Sequence, residues 1–172
     1  MVEFAVTLPL LVVFVVGIFD FGEAFNLKQK LNNVARESAR FASSLATNDL
    51  SDTGDPASII AIRNLVSSSL QASRMNDCGL GSQTGTNATP TWTYTASGNG
   101  CAGTLTLKIE RQYAFDETVT GATNTIKVVS THVSLSYPYK WRFNRVITLV
   151  APGAGYLGVT QIVTDAVVPN TY

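Results

Sequence analysis

Residues 4–19 read FAVTLPLLVVFVVGIF and carry no charge. Glu3 lies directly before this run, and Asp20 lies directly after it. Twelve of the sixteen residues have large apolar side chains, and exposing that many to water would cost on the order of 20–30 kcal/mol. The run is therefore predicted to lie in a lipid bilayer or to pack against other copies of itself.

The length of the run and the carboxylate at its start bear on that choice. A helix needs about 20 apolar residues to cross the hydrocarbon core, so the run is short even when Met1 and Val2 are added. Glu3 is unfavourable in lipid unless an α-amino group or the positive end of the helix dipole neutralises it. A cleaved signal peptide is disfavoured, because the chain has no basic start and the run has no small-x-small cleavage site.

The helical pattern continues beyond the run. No Gly or Pro interrupts residues 23–46, and apolar positions with one polar member recur at spacings of four and three: Leu27, Leu31, Val34, Ser38, Phe41 and Leu45. This predicts one helix from the N-terminus to about Ala46, about 65–70 Å long, which must protrude from a domain of this size. Its second half packs either on its own domain or in an intermolecular coiled coil. Pro9 is expected to kink the helix or to free a backbone carbonyl, and Gly17 and Gly22 suit close approach of another helix.

A charged content of 14% and a middle rich in Ser, Thr, Asn and Gly are typical of an extracellular segment. Residues 47–172 are therefore predicted to form one exported head domain. Asp55 and Pro56 have the residue types of an N-cap and a first helical position, and an apolar face follows as far as Ala72 or Met75. Four later stretches alternate as strands do: 91–95, 104–115, 124–139 and 157–168. A change of phase in the third stretch predicts a β-bulge near residues 128–130. The predicted fold is α+β: a long protruding N-terminal helix, one further helix and an antiparallel sheet of about four strands.

The two cysteines, Cys78 and Cys101, both lie in the predicted exported part. A single pair in a small exported domain is typical of a disulfide, which would stabilise the domain by about 3 kcal/mol on the chain-entropy model. The segment 79–91 between them is rich in turn-forming residues and is expected on the surface. It contains Asn87 in an N-x-[ST] pattern, which makes this residue a possible glycosylation site.

Residues suited to catalysis or metal binding are sparse. His132 is the only histidine, it is expected to face solvent or a subunit contact, and no cysteine or acid clusters with it in sequence. The acids at 49–55 and 116–117 lack the spacing of a calcium-binding loop. The formal net charge is zero and no large basic cluster occurs, which disfavours nucleic-acid binding. We therefore expect a protein that is not an enzyme and that uses no cofactor and no metal.

Aromatic residues alternate with other side chains near the end of the third strand-like stretch. The set is Tyr137, Tyr139, Trp141 and Phe143. Interleaved with Lys140, Arg142 and Arg145, these side chains suit either contact between subunits or contact with lipid headgroups. Of the two, contact between subunits is the favoured interpretation.

The N-terminal residues resemble the signature of the TadE-like pilins, the pseudopilin group of the tight-adherence branch of type IV pili. The matching features are Val2-Glu3-Phe4, Leu8-Pro9-Leu10, the stretch from Gly17 to Gly22 and the stretch from Asn32 to Ala42. A later segment, 133–139, is similar to the C-terminal part of the family. The resemblance covers about 42 residues at the N-terminus, and the middle of the chain matches nothing that we can name.

The resemblance implies a precursor cut by a prepilin peptidase and handled by pilus assembly machinery. It implies a chain held in the bacterial inner membrane until its N-terminal helices pack into a helical homo-oligomer, an extracellular pilus. The residues expected to serve assembly are Glu3, Phe4, Leu8, Pro9, Leu11, Phe14, Gly17 and Phe19. The alternative is a minor pseudopilin or adhesin that is anchored by the same helix and does not polymerise alone. A Glu this close to Met1 departs from the family, so we expect either that residues precede Met1 or that the processing site differs.

Overall fold

The computed structural model describes residues 2–51, 54–88, 90–118, 125–142 and 158–171, and confirms the predicted α+β class. Within these described ranges, two α-helices precede five strands, with a short 3₁₀ turn, Leu80–Ser82, before the first strand. In chain order the elements are α1 (Val2–Ser44), α2 (Ala57–Ala72), β1 (Thr86–Ala88), β2 (Thr91–Ala96), β3 (Leu105–Thr118), β4 (Thr125–Lys140) and β5 (Val159–Pro169). Helix α1 therefore ends two residues before its predicted end at Ala46.

The five strands form one antiparallel meander in the order β1-β2-β3-β4-β5. The sheet has one strand more than the predicted set of about four. The additional strand, β1, lies in the segment predicted as a surface turn and pairs with β2 through Thr86 and Thr93. Its three residues are all exposed, so it lacks the alternation of apolar and polar residues by which a strand is recognised in a sequence.

Both helices pack on one face of this sheet. Strands β2, β3 and β4 turn alternate side chains, such as Trp92, Ile109 and Leu135, into the core. Helix α2 adds the apolar face that its sequence predicts: Ile59, Ile62, Val66 and Leu70. Helix α1 adds only residues from its second half: Leu31, Val34, Ala35, Ala39 and Ala42.

The second half of α1 packs on its own head. Leu31, Val34 and Ser38 of the predicted seam are buried, but Phe41 is 38% exposed. Ala35, Ala39 and Ala42 are fully buried instead, because a single helix on a sheet follows a period of 3.6 residues rather than the 3.5 of a coiled coil. Their small side chains let the helix backbone approach the sheet and α2 closely. Within this chain, the interpretation as packing on its own domain is correct.

The start of α2 differs from the prediction. Asp55 is not its N-cap, because its Oδ2 accepts a hydrogen bond from the Gly85 backbone N–H at 3.0 Å. The carboxylate of Asp49 serves the helix instead and accepts from both the backbone N–H and the hydroxyl of Ser58, at 2.7 and 3.0 Å. Pro56 precedes the first helical residue, Ala57. Asp49 thus accepts from an N–H of the first helical turn, which has no partner within the helix. It lies nine residues before Ser58, further back along the chain than the residue of a local capping motif.

The predicted bulge lies in the neighbouring strand. The pairing of β3 with β4 shifts between Glu110 and Tyr113, so two residues of β3 lie opposite Thr131. The extra residue belongs to β3 and not to residues 128–130 of β4, which were predicted to contain it. On β4, Ser130 and Thr131 are both buried and Val129 is 47% exposed, so the change of phase seen in the sequence is real. It marks where β4 adapts to the bulged partner strand.

Candidate functional site: the protruding half of the first helix and its neck

The first half of α1 extends away from the head with its apolar side chains uncovered. Phe4 is 77% exposed, Phe14 is 64% exposed and Phe19 is 75% exposed. Most of the other described large apolar residues in residues 4–25 are also exposed, whereas Val13 and Val16 are half-buried, so apolar surface covers most of the helix and not one stripe. Between Leu10 and Ser44, α1 is long and apolar enough to cross a membrane by length and composition. A surface of this kind requires lipid or protein around it.

The predicted assembly residues fall on this protruding half. Phe4, Leu8, Leu11, Phe14 and Phe19 are exposed on it, and Gly17 is half-buried within it. The side chains of Glu3 and Pro9 lie outside the described residues. The helix itself is continuous from Val2 to Ser44, so the backbone stays helical through both of these positions. The assembly roles of this set stay predictions.

The protruding half ends where Asp20 meets the head. Asp20 is 3% exposed, and its carboxylate accepts a hydrogen bond at 2.9 Å from the hydroxyl of Tyr139 on β4. The same hydroxyl lies 3.2 Å from the backbone carbonyl of Asp20. Burial, and then the hydrogen bond to Asp20, raise the pKa of Tyr139, so the hydroxyl keeps the proton that it donates. A buried charge is thus satisfied at the point where the helix leaves the head.

Aromatic and charged contacts surround this hydrogen bond. The ring of Phe21 lies edge-on to Trp141 with centroids 5.3 Å apart, and Trp141 lies edge-on to Tyr139 at 5.0 Å. Trp141 donates its indole N–H to the hydroxyl of Thr160 at 2.7 Å. A salt bridge joins Arg142 to Glu23. We call this junction the neck: Asp20, Phe21 and Glu23 of α1 with Tyr139, Trp141 and Arg142.

The neck changes the interpretation of the aromatic series. Tyr137 is 8% exposed and belongs to the core, and Tyr139 is 7% exposed against α1, so both point into the molecule and not outward. Their alternation places them on the inner face of β4, where the helices pack. Trp141 is half-buried, and contact with another subunit stays a prediction for it. Phe143 lies outside the described residues.

A buried arginine holds the other end of α1. Arg111 on β3 is fully buried and donates from Nη2 to the carbonyl of Leu45 at 2.7 Å, just beyond the last residue of α1. A cation at this place complements both the free carbonyls and the negative end of the helix dipole. This role of Arg111 was not predicted from the sequence. The available signal was the position of Arg111, which continues the inward alternation of Leu105, Leu107 and Ile109.

The predicted disulfide between Cys78 and Cys101 is confirmed. Beside it, Asp77 is 7% exposed and accepts hydrogen bonds from the Ser67 hydroxyl at 2.6 Å, the Gln71 amide at 3.0 Å and the Gly79 N–H at 3.2 Å. Burial alone would raise the pKa of Asp77, but these hydrogen bonds outweigh it and lower that pKa. The disulfide loop is therefore joined to α2 by a buried carboxylate.

The two remaining predicted positions lie on the sheet. His132 is half-buried, and its ring nitrogens lie 3.8 Å from Glu110 and 4.0 Å from Asp165. In the part of the chain that the structure describes, no group of three or more histidines, cysteines and acids is placed to hold a metal ion. Asn87 is exposed on β1 and donates from its side-chain amide to the carbonyl of Gly54. Its glycosylation stays a prediction.

The family model described as TadE-like protein matches residues 1–40. The match supports a TadE-like pilin assignment, and the resemblance of the N-terminal residues is confirmed. The matched residues comprise the whole protruding half of α1, the helical side of the neck and most of the buried half. They include none of the sheet and amount to 40 of 172 residues. No curated protein and no solved structure matches the chain.

Proposed function

We propose that this chain is a structural subunit of an extracellular Tad-type pilus, that it is not an enzyme, and that it assembles through α1. One observation carries the proposal: the TadE-like, charge-free run in the first half of α1 exposes most of its described large apolar side chains and is joined to a separate folded head. An apolar surface of this extent must be kept from water at every stage. The bilayer surrounds it before assembly, and a bundle of equivalent helices surrounds it in the filament.

The helix moves between two apolar surroundings in this mechanism. Before assembly, the run from Phe4 to Phe19 lies in the inner membrane and the head lies outside it. During assembly, pilus assembly machinery transfers the helix into a bundle of copies, so that little apolar surface meets water along the way. The heads then form the outer layer of the filament. The disulfide between Cys78 and Cys101 suits a head that works outside the cytoplasm.

In this proposal, Glu3 sets the register in which neighbouring helices pack in the bundle. A carboxylate buried among apolar helices is strongly penalised unless a cation pairs with it, and the N-terminal amine of a neighbouring subunit is a suitable partner. We expect Glu3→Ala to leave the head folded and to reduce the yield of filaments. Filament yield would be measured by electron microscopy of sheared material, and an unchanged yield would count against this role.

The experiment that tests the proposal is electron microscopy of filaments sheared from cells, with mass spectrometry of their protein. Leu11→Glu places a charge within the exposed run, whereas the control Gln29→Glu places the same charge on an exposed site of the same helix beyond the neck. We expect this chain to dominate the fibres in the wild type and the control, and to be absent from them in Leu11→Glu. Fibres of normal abundance in Leu11→Glu would overturn assembly through α1.

A second function, a membrane-anchored minor pseudopilin or adhesin, is favoured by one feature of the head. Strand β1 forms an edge of the sheet, and its residues Thr86–Ala88 are all exposed. An exposed strand edge with small side chains can accept an extended partner segment. If the same mass spectrometry finds the chain only in the inner membrane or as a trace component of fibres, this second function replaces the first.

A further inference from the structure

The neck leaves aromatic and basic side chains uncovered on the side from which the protruding helix emerges. Phe21 is 62% exposed, and Phe25, one helical turn later on the same side of α1, is 69% exposed. Trp141 is half-buried beside Phe21, and Arg142 is exposed next to it. Lys140, the last residue of β4, is also exposed. We call the set of Phe21, Phe25, Lys140, Trp141 and Arg142 the neck surface.

The length of the apolar run fixes the depth of this surface relative to a bilayer. Sixteen helical residues span about 24 Å, which is shorter than the hydrocarbon core of about 30 Å. Phe21 lies about 3 Å beyond Phe19 along the helix axis, and Phe25 lies about 9 Å beyond it. A span that is too short draws its flanking residues towards the membrane. The neck surface therefore falls within the interfacial layer when the run occupies the hydrocarbon core.

The composition of the neck surface suits that layer. Tryptophan rings concentrate at the boundary between lipid and water, and long basic side chains reach headgroup phosphates from there. The indole N–H of Trp141 is already bonded to Thr160, and Arg142 is paired with Glu23, so the apolar rings and Lys140 carry this argument. Exposure of Phe21 and Phe25 would be unfavourable on a segment that contacts only water. The contacts between Trp141 and Phe21, and between Tyr139 and Asp20, hold the end of β4 at this level of the helix.

We infer that the neck surface is a lipid-contacting surface that seats the head directly on the bilayer which α1 spans. The inference rests on the membrane residence of α1 in the proposed function, and it adds a position for the head before assembly. The head then lies flush with the lipid headgroups and not on a free stalk. In this state Trp141 lies at the level of the headgroups and upper acyl chains, whereas Trp92, 1% exposed in the core, has no lipid contact.

The two tryptophans make the test specific, because the chain contains no others. The full chain is reconstituted into phosphatidylcholine vesicles and separated by flotation. Its tryptophan emission is then compared in plain lipid, in lipid brominated on the upper part of the acyl chain, and in lipid brominated near the chain end. We expect the upper bromines to quench part of the emission more strongly than the deep bromines. Trp141→Phe keeps an aromatic ring at the neck and should abolish this quenching.

Each outcome decides a separate question. If the chain floats with the vesicles but neither brominated lipid quenches Trp141, the inference is wrong, while membrane anchoring by α1 stands. The inference is also wrong if the deep bromines quench Trp141 more strongly, or if the quenching persists in Trp141→Phe and therefore comes from Trp92. If the chain does not float, the membrane residence in the proposed function fails, and the inference fails with it.

Discussion

The two halves of α1 have the same backbone conformation and opposite surroundings. From Phe4 to Phe19 the helix carries no charged side chain, and its described large apolar residues are exposed except Val13 and Val16, which are half-buried. From Leu31 to Ala42 it buries one stripe and leaves charged residues such as Arg40 outside. A helix that is apolar all round needs an apolar medium or copies of itself, whereas a striped helix needs only one apolar surface. The second half of this continuous helix therefore packs in the folded head, and the first half is suited to apolar surroundings outside the head.

The neck separates the two halves physically. Asp20 is the first charged residue after the apolar run, and among the described residues of α1 it is also the first that the head buries, through the hydroxyl of Tyr139. A buried carboxylate must be met by a donor at one defined place, and beyond Asp20 residues 21–30 are exposed or half-buried until burial resumes at Leu31. Variants on either side of the neck test how independent the two halves are.

The largest difference is expected between two leucines of the same helix. Leu31 is fully buried and Leu11 is 62% exposed, so Leu31→Ala should lower the free energy of unfolding of the head by about 3 kcal/mol, as in other buried cores. Leu11→Ala should change it by less than about 0.5 kcal/mol. Urea unfolding of the full chain in detergent micelles measures both. Equal losses in the two variants would show that the protruding half folds as part of the head.

The next effect is expected at the neck. Tyr139→Phe removes the donor to the buried Asp20 carboxylate while keeping the aromatic ring, and hydrogen bonds to charged groups contribute about 1.5–3 kcal/mol. We therefore expect a loss of about 2 kcal/mol in the same urea experiment, together with faster proteolysis of α1 around Asp20. Unchanged proteolysis would show that the aromatic contacts alone fix the helix to the head.

The unfolding free energy at alkaline pH provides a second measurement on Tyr139→Phe. The pKa of Tyr139 is raised above its ordinary value of 10.0, so its contribution to stability is complete below pH 10 and is lost as the pH rises towards the pKa of the folded state. Tyr94 and Tyr137 also have raised pKa values, so the difference between wild type and Tyr139→Phe isolates the neck. A constant difference up to strongly alkaline pH would contradict the buried, protonated hydroxyl.

A smaller effect, with the opposite pH dependence, is expected in the head. Asp77→Asn replaces a buried carboxylate that accepts several hydrogen bonds, at a cost of about 1–2 kcal/mol at neutral pH. The pKa of Asp77 is lowered, so its contribution is present above the ordinary value of 3.8 and is lost as the pH falls through the lower value of the folded state. Thermal unfolding below about pH 4 should therefore be less dependent on pH in the variant. A parallel decline in both proteins would assign acid sensitivity to other groups.

The same contrast explains which features the sequence predicted. The first half of α1 was predictable from its charge-free apolar run, and the second half and the face of α2 were predictable because burial that repeats along a helix leaves a period in the sequence. Phe41 was assigned to the buried seam wrongly, since periods of 3.5 and 3.6 diverge only after several turns. The cap by Asp49, nine residues before Ser58, and the bulge on β3 depend on neighbours that a local pattern does not specify.

The neck could not be predicted from the sequence either, because it also depends on neighbours that a local pattern does not specify. Asp20 and Tyr139 are 119 residues apart, and nothing in either local sequence indicates the other. The aromatic alternation around Tyr139 was visible, but it does not distinguish a side chain that meets its own helix from one that meets another subunit. Only the structure shows that the buried Asp20 pairs with the buried Tyr139.

The smallest effect is expected from the salt bridge at the neck. Arg142 and Glu23 lie 3.2 Å apart, but their side chains are 78% and 48% exposed, and exposed pairs contribute between zero and about 1 kcal/mol. Arg142→Gln should therefore leave the unfolding free energy within about 0.5 kcal/mol of the wild type. The urea experiment that resolves Tyr139→Phe measures it. A loss as large as that of Tyr139→Phe would mean that charge pairing, and not the buried hydrogen bond, joins the protruding half of α1 to the head.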